Sequence, residues 1–191
     1  WSLRVAGRFN WTASIYHDKL YAEGVNDANY WQREAYTTAT LLYTPTRHLS
    51  FDVATDYAFN NLNSSLATDT RPYRHSLWQC ATAKYADGRL TLLARLLYSA
   101  FFNGAQKGEK ARDANRLSPS LSFSYRLFRG RDIYVRASYK NIFRAPNFNE
   151  NYYFHYGSAT LDPETTDQFN LGLTMGGRTG SMSGQMLIDV Y

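Results

Sequence analysis

The sequence has almost no cysteine. Cys80 is the only one among 191 residues, so neither an internal disulfide nor a cysteine-based metal cage can form. The four histidines, His17, His48, His75 and His155, are far apart and share no ligand spacing. We therefore expect no metal site and no cofactor.

Long hydrophobic runs are also missing. No stretch approaches the roughly 18 to 20 apolar residues that a membrane-spanning helix needs; the best one, 90–102, is interrupted by Arg95. The chain also opens without the basic start and apolar core of a signal peptide, so we expect a mature or truncated chain. The mean hydropathy of −0.49 is that of a polar protein. It does not exclude a membrane β-barrel, in which lipid-facing and lumen-facing residues alternate.

A concentrated basic patch is absent as well. The formal net charge is +5, but the lysines and arginines are scattered, whereas nucleic-acid binding favours a basic cluster on one face. We expect no nucleic-acid partner.

What the sequence does contain is apolar–polar alternation with a period of two. Leu3, Val5, Phe9 and Trp11 alternate with polar or small residues, as in strands with one apolar and one polar side. The alternation predicts about nine strands. They lie near 2–16, 31–44, 48–60, 73–86, 89–103, 116–128, 132–143, 166–176 and 181–191. The fourth is the least regular, because Arg74, Trp78 and Lys84 share a face with Cys80.

The predicted connections alternate strictly between short and long. Short ones lie near 44–47, 87–88, 129–131 and 176–180; long polar ones lie near 17–30, 61–72, 104–115 and 144–165. In an up-and-down meander, alternate connections lie at the same end of the sheet. Outer-membrane barrels show this asymmetry, with short periplasmic turns and long extracellular loops. Most predicted strands span about 11 to 15 residues, against roughly 5 or 6 in soluble proteins, which disfavours the alternative of a soluble β-sandwich.

The predicted fold class is therefore all-β, an antiparallel up-and-down meander of about nine long strands within a transmembrane barrel. Closed bacterial barrels have even strand numbers, so an odd number predicts that residues 1–191 are part of a larger barrel domain. The alternative is a small complete outer-membrane barrel of eight or ten strands with an enzymatic (protease-like or phospholipase-like) or adhesive role. The alternation that runs from Met182 to a terminal Tyr191 favours that alternative.

The most distinctive stretch contains two short motifs. Residues 143–150 read FRAPNFNE, and residues 161–165 read LDPET. This stretch resembles the TonB-dependent outer-membrane receptors, in which a "FRAPxFxE" segment ends a strand and an "LxPE" box precedes the next one. The chain departs from the commoner pattern at Asp162, where lysine is more usual, and at 157–160, where a Gly-Asn-Pro lead-in is replaced. Five motif residues are expected to be structural: Arg144, Pro146, Glu150, Pro163 and Glu164.

The resemblance implies a barrel of about 22 strands around a plug domain. Such receptors sit in the outer membrane of Gram-negative bacteria. They import a scarce ligand, often a siderophore, cobalamin or a glycan, with energy from the TonB complex, and they are not enzymes. The plug and the TonB-contacting segment would precede this chain. The implied partners are outer-membrane lipid, the plug domain, the TonB complex and the imported small ligand.

No catalytic constellation is recognisable in the sequence. The better candidates for ligand contact are aromatic residues in the predicted extracellular loops, because aromatic faces stack on sugars and planar chelates. These candidates are Tyr30, Trp31, Tyr152, Tyr153, Phe154 and Tyr156. The alternative is that they only pack loop against loop or belong to the aromatic girdle at the membrane interface. A fragment with open strand edges is also expected to self-associate through them.

Overall fold

The computed structural model describes residues 1–17, 27–65, 70–152, 157–179 and 182–191. These form nine strands and one short helix. The strands are β1 (Ser2–His17), β2 (Asp27–Tyr43), β3 (Leu49–Ser64), β4 (Pro72–Ala86), β5 (Leu90–Ala105), β6 (Ala114–Arg126), β7 (Asp132–Arg144), β8 (Glu164–Thr179) and β9 (Met182–Val190), and α1 is Phe148–Tyr152. Among the described residues, no helix has the length and apolar composition needed to cross a membrane.

The strands form one sheet in the order β1 to β9, each antiparallel to the next. The predicted all-β meander is confirmed. The predicted boundaries are too short at the long-loop end: β2 already begins at Asp27, and β3 continues to Ser64. Polar residues continue the backbone ladder there, because pairing with the neighbouring strand satisfies their amides whatever the side chain.

The register brings the apolar positions of all strands to one side, the apolar face. One lateral row shows this: Leu41, Val53, Ala81, Leu96 and Pro119 lie side by side on β2 to β6. Large side chains remain open on this face, with Phe9 and Phe169 both 67% exposed. A water-soluble protein rarely leaves so large a contiguous apolar surface uncovered.

The opposite side is the polar face. Here Asp52, Thr82, Arg95, Ser120, Lys140 and Gln168 form a lateral row across β3 to β8. Polar side chains brace the first three strands: Glu34 accepts from Arg8 Nη2 and from Asn60 Nδ2, both at 2.8 Å. The Tyr36 hydroxyl donates to Asp56 at 2.9 Å.

Short connections lie at one end of the sheet. At the turn 87–89 the Asp87 carboxylate accepts from the backbone N–H groups of Arg89 and Leu90 at 2.8 Å. These two hydrogen bonds lower the pKa of Asp87 below its usual range. Gly130 supplies a left-handed conformation (φ 82°) in the connection between β6 and β7.

One seam interrupts the regular ladder. β6 pairs with β7 only from Ser120 to Arg126, although β6 begins at Ala114. The pairing stops next to Pro119, which has no backbone donor. Above this point a side-chain hydrogen bond connects the two strands: Ser118 Oγ donates to Asn141 Oδ1 at 3.1 Å. Asn141 Nδ2 in turn donates to Asp167 on β8 at 2.7 Å.

Candidate functional site

The candidate site begins with α1, which lies in the long connection between β7 and β8. A reciprocal capping box starts this helix: Glu150 N donates to Asn147 Oδ1 at 2.9 Å, and Asn147 N donates to Glu150 Oε2 at 2.8 Å. The sequence pattern does not predict α1, because a five-residue helix is too short to show a helical apolar stripe. The sequence feature that could have indicated the start of α1 is the Asn-x-x-Glu spacing of its capping box.

A single arginine joins α1 to both flanking strands. Arg144 Nη1 lies 2.8 Å and 3.0 Å from the two carboxylate oxygens of Glu150. Its Nε and Nη2 donate to Glu164 at 3.0 Å and 2.8 Å. The Asn147 N–H and then the Arg144 guanidinium hold the pKa of Glu150 below its usual range. The connection therefore leaves and re-enters the sheet in a fixed geometry.

A second arginine ties α1 to a distant part of the sheet. Arg74, on the polar face of β4, is only 8% exposed. Its Nε donates to Asn103 Oδ1 at 2.6 Å, and its Nη1 donates to the carbonyl oxygen of Pro146 at 2.7 Å. The guanidinium carbon lies 5.3 Å from the ring centre of Phe148 and 5.6 Å from that of Phe101. A buried guanidinium is thus satisfied by neutral oxygens and aromatic faces.

Apolar packing completes the attachment. Tyr30, Leu62 and Phe148 are almost fully buried together, and Tyr152 packs against them. The Tyr152 hydroxyl accepts from the Ala111 N–H at 2.6 Å, and burial raises the pKa of that hydroxyl. We call Tyr30, Leu62, Arg74, Phe148 and Tyr152 the rim cluster.

The rim cluster lies at the long-loop end of the polar face. Its members come from β2, β3, β4 and α1, so the connection after β7 folds back over strands that are far away in sequence. The loop before β6 joins the same assembly, because Arg112 pairs with Asp162 at 3.0 Å. Asp162 is the position at which the sequence departs from the commoner motif. The connections before β6 and after β7 therefore form a continuous surface with the polar face of the sheet.

The residues that were predicted to contact a ligand lie in different parts of the structure. The prediction that Tyr30 and Trp31 lie in a loop is wrong, because both belong to β2. Tyr30 is buried in the rim cluster, and Trp31 points to the apolar face beside Ala13 and Asn63. Tyr152 ends α1 in the rim cluster. The remaining three, Tyr153, Phe154 and Tyr156, lie outside the described residues.

The motif residues lie close together around α1. Arg144 and Glu164 are opposite each other in the β7–β8 ladder, Glu150 lies in α1, and Pro163 directly precedes β8. Pro146 contributes its carbonyl oxygen to Arg74. No sequence pattern indicates that Arg74, Asn103 and Leu62 lie around this motif. The irregular pattern of the fourth predicted strand, with an arginine on its polar face, is the sequence feature that could have indicated a special role for Arg74.

Among its described residues, the site offers aromatic surface, amide groups and a buried cation, Arg74. In the part of the chain that the structure describes, no group of three or more His, Cys, Asp or Glu side chains is arranged to hold a metal ion. The arrangement is suited to noncovalent binding through stacking and hydrogen bonds.

Comparisons with known proteins point in one direction. The family model "TonB dependent receptor-like, beta-barrel" matches residues 1–185. A search of curated proteins finds no significant match. Among solved structures, the fold is similar to that of a protein described as "Copper transporter OprC", with a TM-score of 0.75 and 12% sequence identity. The match covers 92% of this chain and 34% of that protein, so the chain spans about a third of its length.

Proposed function

This chain belongs to the TonB-dependent receptor family through its β-barrel domain, and from that premise we propose that it forms part of the wall of an outer-membrane receptor. The receptor binds a scarce ligand outside a Gram-negative cell and imports it with energy supplied by the TonB complex. Its role is transport and not catalysis.

The two faces of the sheet support this assignment. The apolar face, with Phe9 and Phe169 largely open, is covered by outer-membrane lipid. The polar face lines the lumen and faces the plug domain, which we place outside the residues of this chain. Lipid-facing and lumen-facing residues alternate along each strand of such barrels.

The rim cluster is the observation that supports ligand binding most directly. Buried Arg74 and the capping box hold α1 against the luminal wall at the loop end. A ligand that arrives from outside meets this part of the wall first. We propose that Tyr152, Tyr153, Phe154 and Tyr156 contact the ligand, and that Tyr30 supports Tyr152 within the rim cluster. Trp31 points towards lipid and belongs to the aromatic girdle.

The ligand class proposed from the family resemblance is a siderophore, cobalamin or a glycan. The test is uptake in the source bacterium. A strain that lacks the gene, and a second strain that lacks TonB function, are each supplied with labelled iron–siderophore complexes, cobalamin and oligosaccharides. We expect accumulation of one compound class to fall in both strains and to return with the wild-type gene. Unchanged accumulation of every class in the gene-deletion strain would contradict the proposed transport role.

A further inference from the structure

Three of the short connections share a sequence motif. Near the ends of β2, β4 and β6, a tyrosine is followed four positions later by an arginine: residues 43–47 read YTPTR, 85–89 read YADGR and 125–129 read YRLFR. We call these three segments the Tyr–Arg turns. Because β2, β4 and β6 run in the same direction, the three turns lie at the same end of the sheet. Neighbouring turns are two strands apart, which separates them by about 10 Å.

The tyrosines of the Tyr–Arg turns lie on the apolar face. Their lateral neighbours in the ladders are all apolar: Phe51 beside Tyr43, Leu49 and Leu92 beside Tyr85, and Leu90 and Val135 beside Tyr125. A tyrosine at the border of a lipid-covered surface keeps its ring among the acyl chains and its hydroxyl among the headgroups. In the proposed receptor, these tyrosines therefore mark the level of the lipid headgroups at the short-turn end.

Two of the arginines lie beside side chains of the apolar face. The guanidinium carbon of Arg89 lies 5.3 Å from the ring centre of Tyr125. Arg47 Nε donates to His48 Nε2 at 3.0 Å, and the His48 ring centre lies 6.4 Å from that of Tyr85. These two arginines are therefore placed towards the lipid and not towards the polar face, where the plug domain would lie.

The carboxylates at this end are already bound within the chain. The described segments 44–48, 86–90 and 126–132 contain five arginines and two aspartates. Asp87 accepts from two backbone N–H groups of its turn, and from the Tyr85 hydroxyl at 3.2 Å. Asp132 forms an ion pair with Arg126. The arginines of the three Tyr–Arg turns form no ion pair with a described residue, so this end of the sheet has a surplus of positive charge.

We infer that the Tyr–Arg turns bind the headgroups of an anionic phospholipid, phosphatidylglycerol, in the leaflet at the short-turn end. The inference goes beyond ligand import and rests on the proposed position of the chain in the outer membrane. A phosphodiester accepts hydrogen bonds from a guanidinium, and the opposite charges strengthen them. Phosphatidylethanolamine also carries an ammonium group, which the surplus of positive charge disfavours. The acyl chains of a lipid bound there extend along the apolar face.

The test places a fluorescent reporter inside the middle Tyr–Arg turn. A bimane dye is attached to Gly88→Cys in the full-length receptor with Cys80 replaced by serine, because a Cβ at Gly88 has no neighbour within 4 Å. The receptor is reconstituted in phosphatidylethanolamine vesicles that contain increasing fractions of spin-labelled phosphatidylglycerol or spin-labelled phosphatidylethanolamine. At low salt we expect stronger quenching by phosphatidylglycerol at equal fractions. The difference should shrink at high salt, since exposed charges are screened.

A triple variant removes the three arginines. In Arg47→Gln/Arg89→Gln/Arg129→Gln, half-maximal quenching should require an about fivefold higher fraction of phosphatidylglycerol, the contribution of one basic residue near an anionic lipid surface. The matched control is Arg4→Gln/Arg95→Gln/Lys140→Gln, which removes the same charge from exposed positions on the polar face. Its quenching curve should stay within about twofold of wild type, because these charges are far from the dye.

Three results would overturn the inference: equal quenching of the wild-type receptor by both lipids, a preference that does not depend on salt, or an equal shift in the control variant. The first two need no variant, so they test the inference even where the triple variant does not fold. An acidic periplasmic protein is the competing partner. If the triple variant keeps its lipid preference but loses uptake in cells, the arginines bind such a protein and the inference is wrong.

The uptake experiment on the deletion strain uses none of these variants. The transport role and the phospholipid sites can therefore fail separately.

Discussion

At the scale of single residues, Arg74 has the most unusual environment. A guanidinium that is removed from water without a carboxylate partner loses hydration, and neutral acceptors replace only part of it. Here Asn103 Oδ1 and the Pro146 carbonyl oxygen accept its hydrogen bonds, and Phe101 and Phe148 lie against it. Arg74 therefore stabilises the attachment of α1 to β4, and through Asn103 it also stabilises the contact between β4 and β5.

Replacing Arg74 by alanine should detach α1 from β4. Two acceptors lose a charged donor, and the rings of Phe101 and Phe148 lose their contact, so we expect a loss of about 3 kcal/mol in the free energy of unfolding. Hydrogen exchange of the full-length receptor should show faster exchange at Asn151 N, whose hydrogen bond belongs to α1. Arg4→Ala is the control, since Arg4 is exposed. Equal exchange in both variants would contradict this role of Arg74.

Glu150 should make the stability of α1 depend on pH. The Asn147 N–H and Arg144 lower its pKa from the ordinary value of 4.5. A depressed folded-state pKa means that the carboxylate stabilises the loop above pH 4.5, and that this contribution is lost as the pH falls through the lower, folded-state pKa.

Hydrogen exchange of α1 between pH 7 and pH 3, corrected for the intrinsic exchange rate, should show this loss in the wild-type receptor. The Glu150→Gln variant should be less protected at pH 7 and should show little further change on acidification. A wild-type profile that stays flat would exclude a role for the carboxylate.

At the scale of elements, close contacts between neighbouring strands set which side chains fit. Tyr73 and Gly104 are lateral neighbours on β4 and β5, and the tyrosine ring covers the glycine. A Cβ atom added at Gly104 would lie 2.2 Å from Tyr73 Cζ. The glycine therefore leaves room for the ring at the loop end of the apolar face.

The variant Gly104→Ala should displace the Tyr73 ring and lower the free energy of unfolding by about 1–3 kcal/mol. Gly88→Ala is the matched control, because a Cβ there has no neighbour within 4 Å, and its effect should stay within about 0.5 kcal/mol. Urea unfolding of the full-length receptor measures both. Comparable losses in the two variants would show that the ring contact is unimportant.

The strands themselves were predictable from sequence because their cause is local. Alternation along β1 or β3 places every second side chain on the apolar face, and this pattern is visible in a short window. The ends were less predictable. Residues such as Asn61 and Asn63 look like loop residues, but they continue β3 because β2 extends beside them.

The rim cluster was not predictable, because its contacts join distant segments. Arg74 and Pro146 are separated by 72 positions, and no periodicity in the sequence links them. The motif around Pro146 indicated a family and a loop. The fact that this loop folds back onto β4 depends on the three-dimensional arrangement of at least four strands. In the sequence, Pro146 belongs to a recognisable motif and Arg74 to an irregular strand, and nothing connects the two.

At the scale of the whole molecule, the separation of connections predicts an orientation in the membrane. The short turn at Gly88 and the long connection at Lys107 lie at opposite ends of the sheet. In the proposed receptor, Gly88 faces the periplasm and Lys107 faces the outside.

Single cysteines test this orientation in a background in which Cys80 is replaced by serine. A membrane-impermeant maleimide added to intact cells should label Lys107→Cys but not Gly88→Cys. Gly88→Cys should react only after the outer membrane is opened. Labelling of Gly88→Cys on intact cells, with Lys107→Cys protected, would reverse the proposed topology.

The folded-back connection after β7 also has a consequence for assembly kinetics. Arg74 cannot meet Pro146 until the hairpins between β4 and β7 have all taken their register, since each strand sets the position of the next. Contacts of such large sequence separation form slowly, because the chain between them must first be ordered. The attachment of α1 is therefore a late event during insertion. Until it forms, the connection between β7 and β8 lacks the contact that holds it against β4.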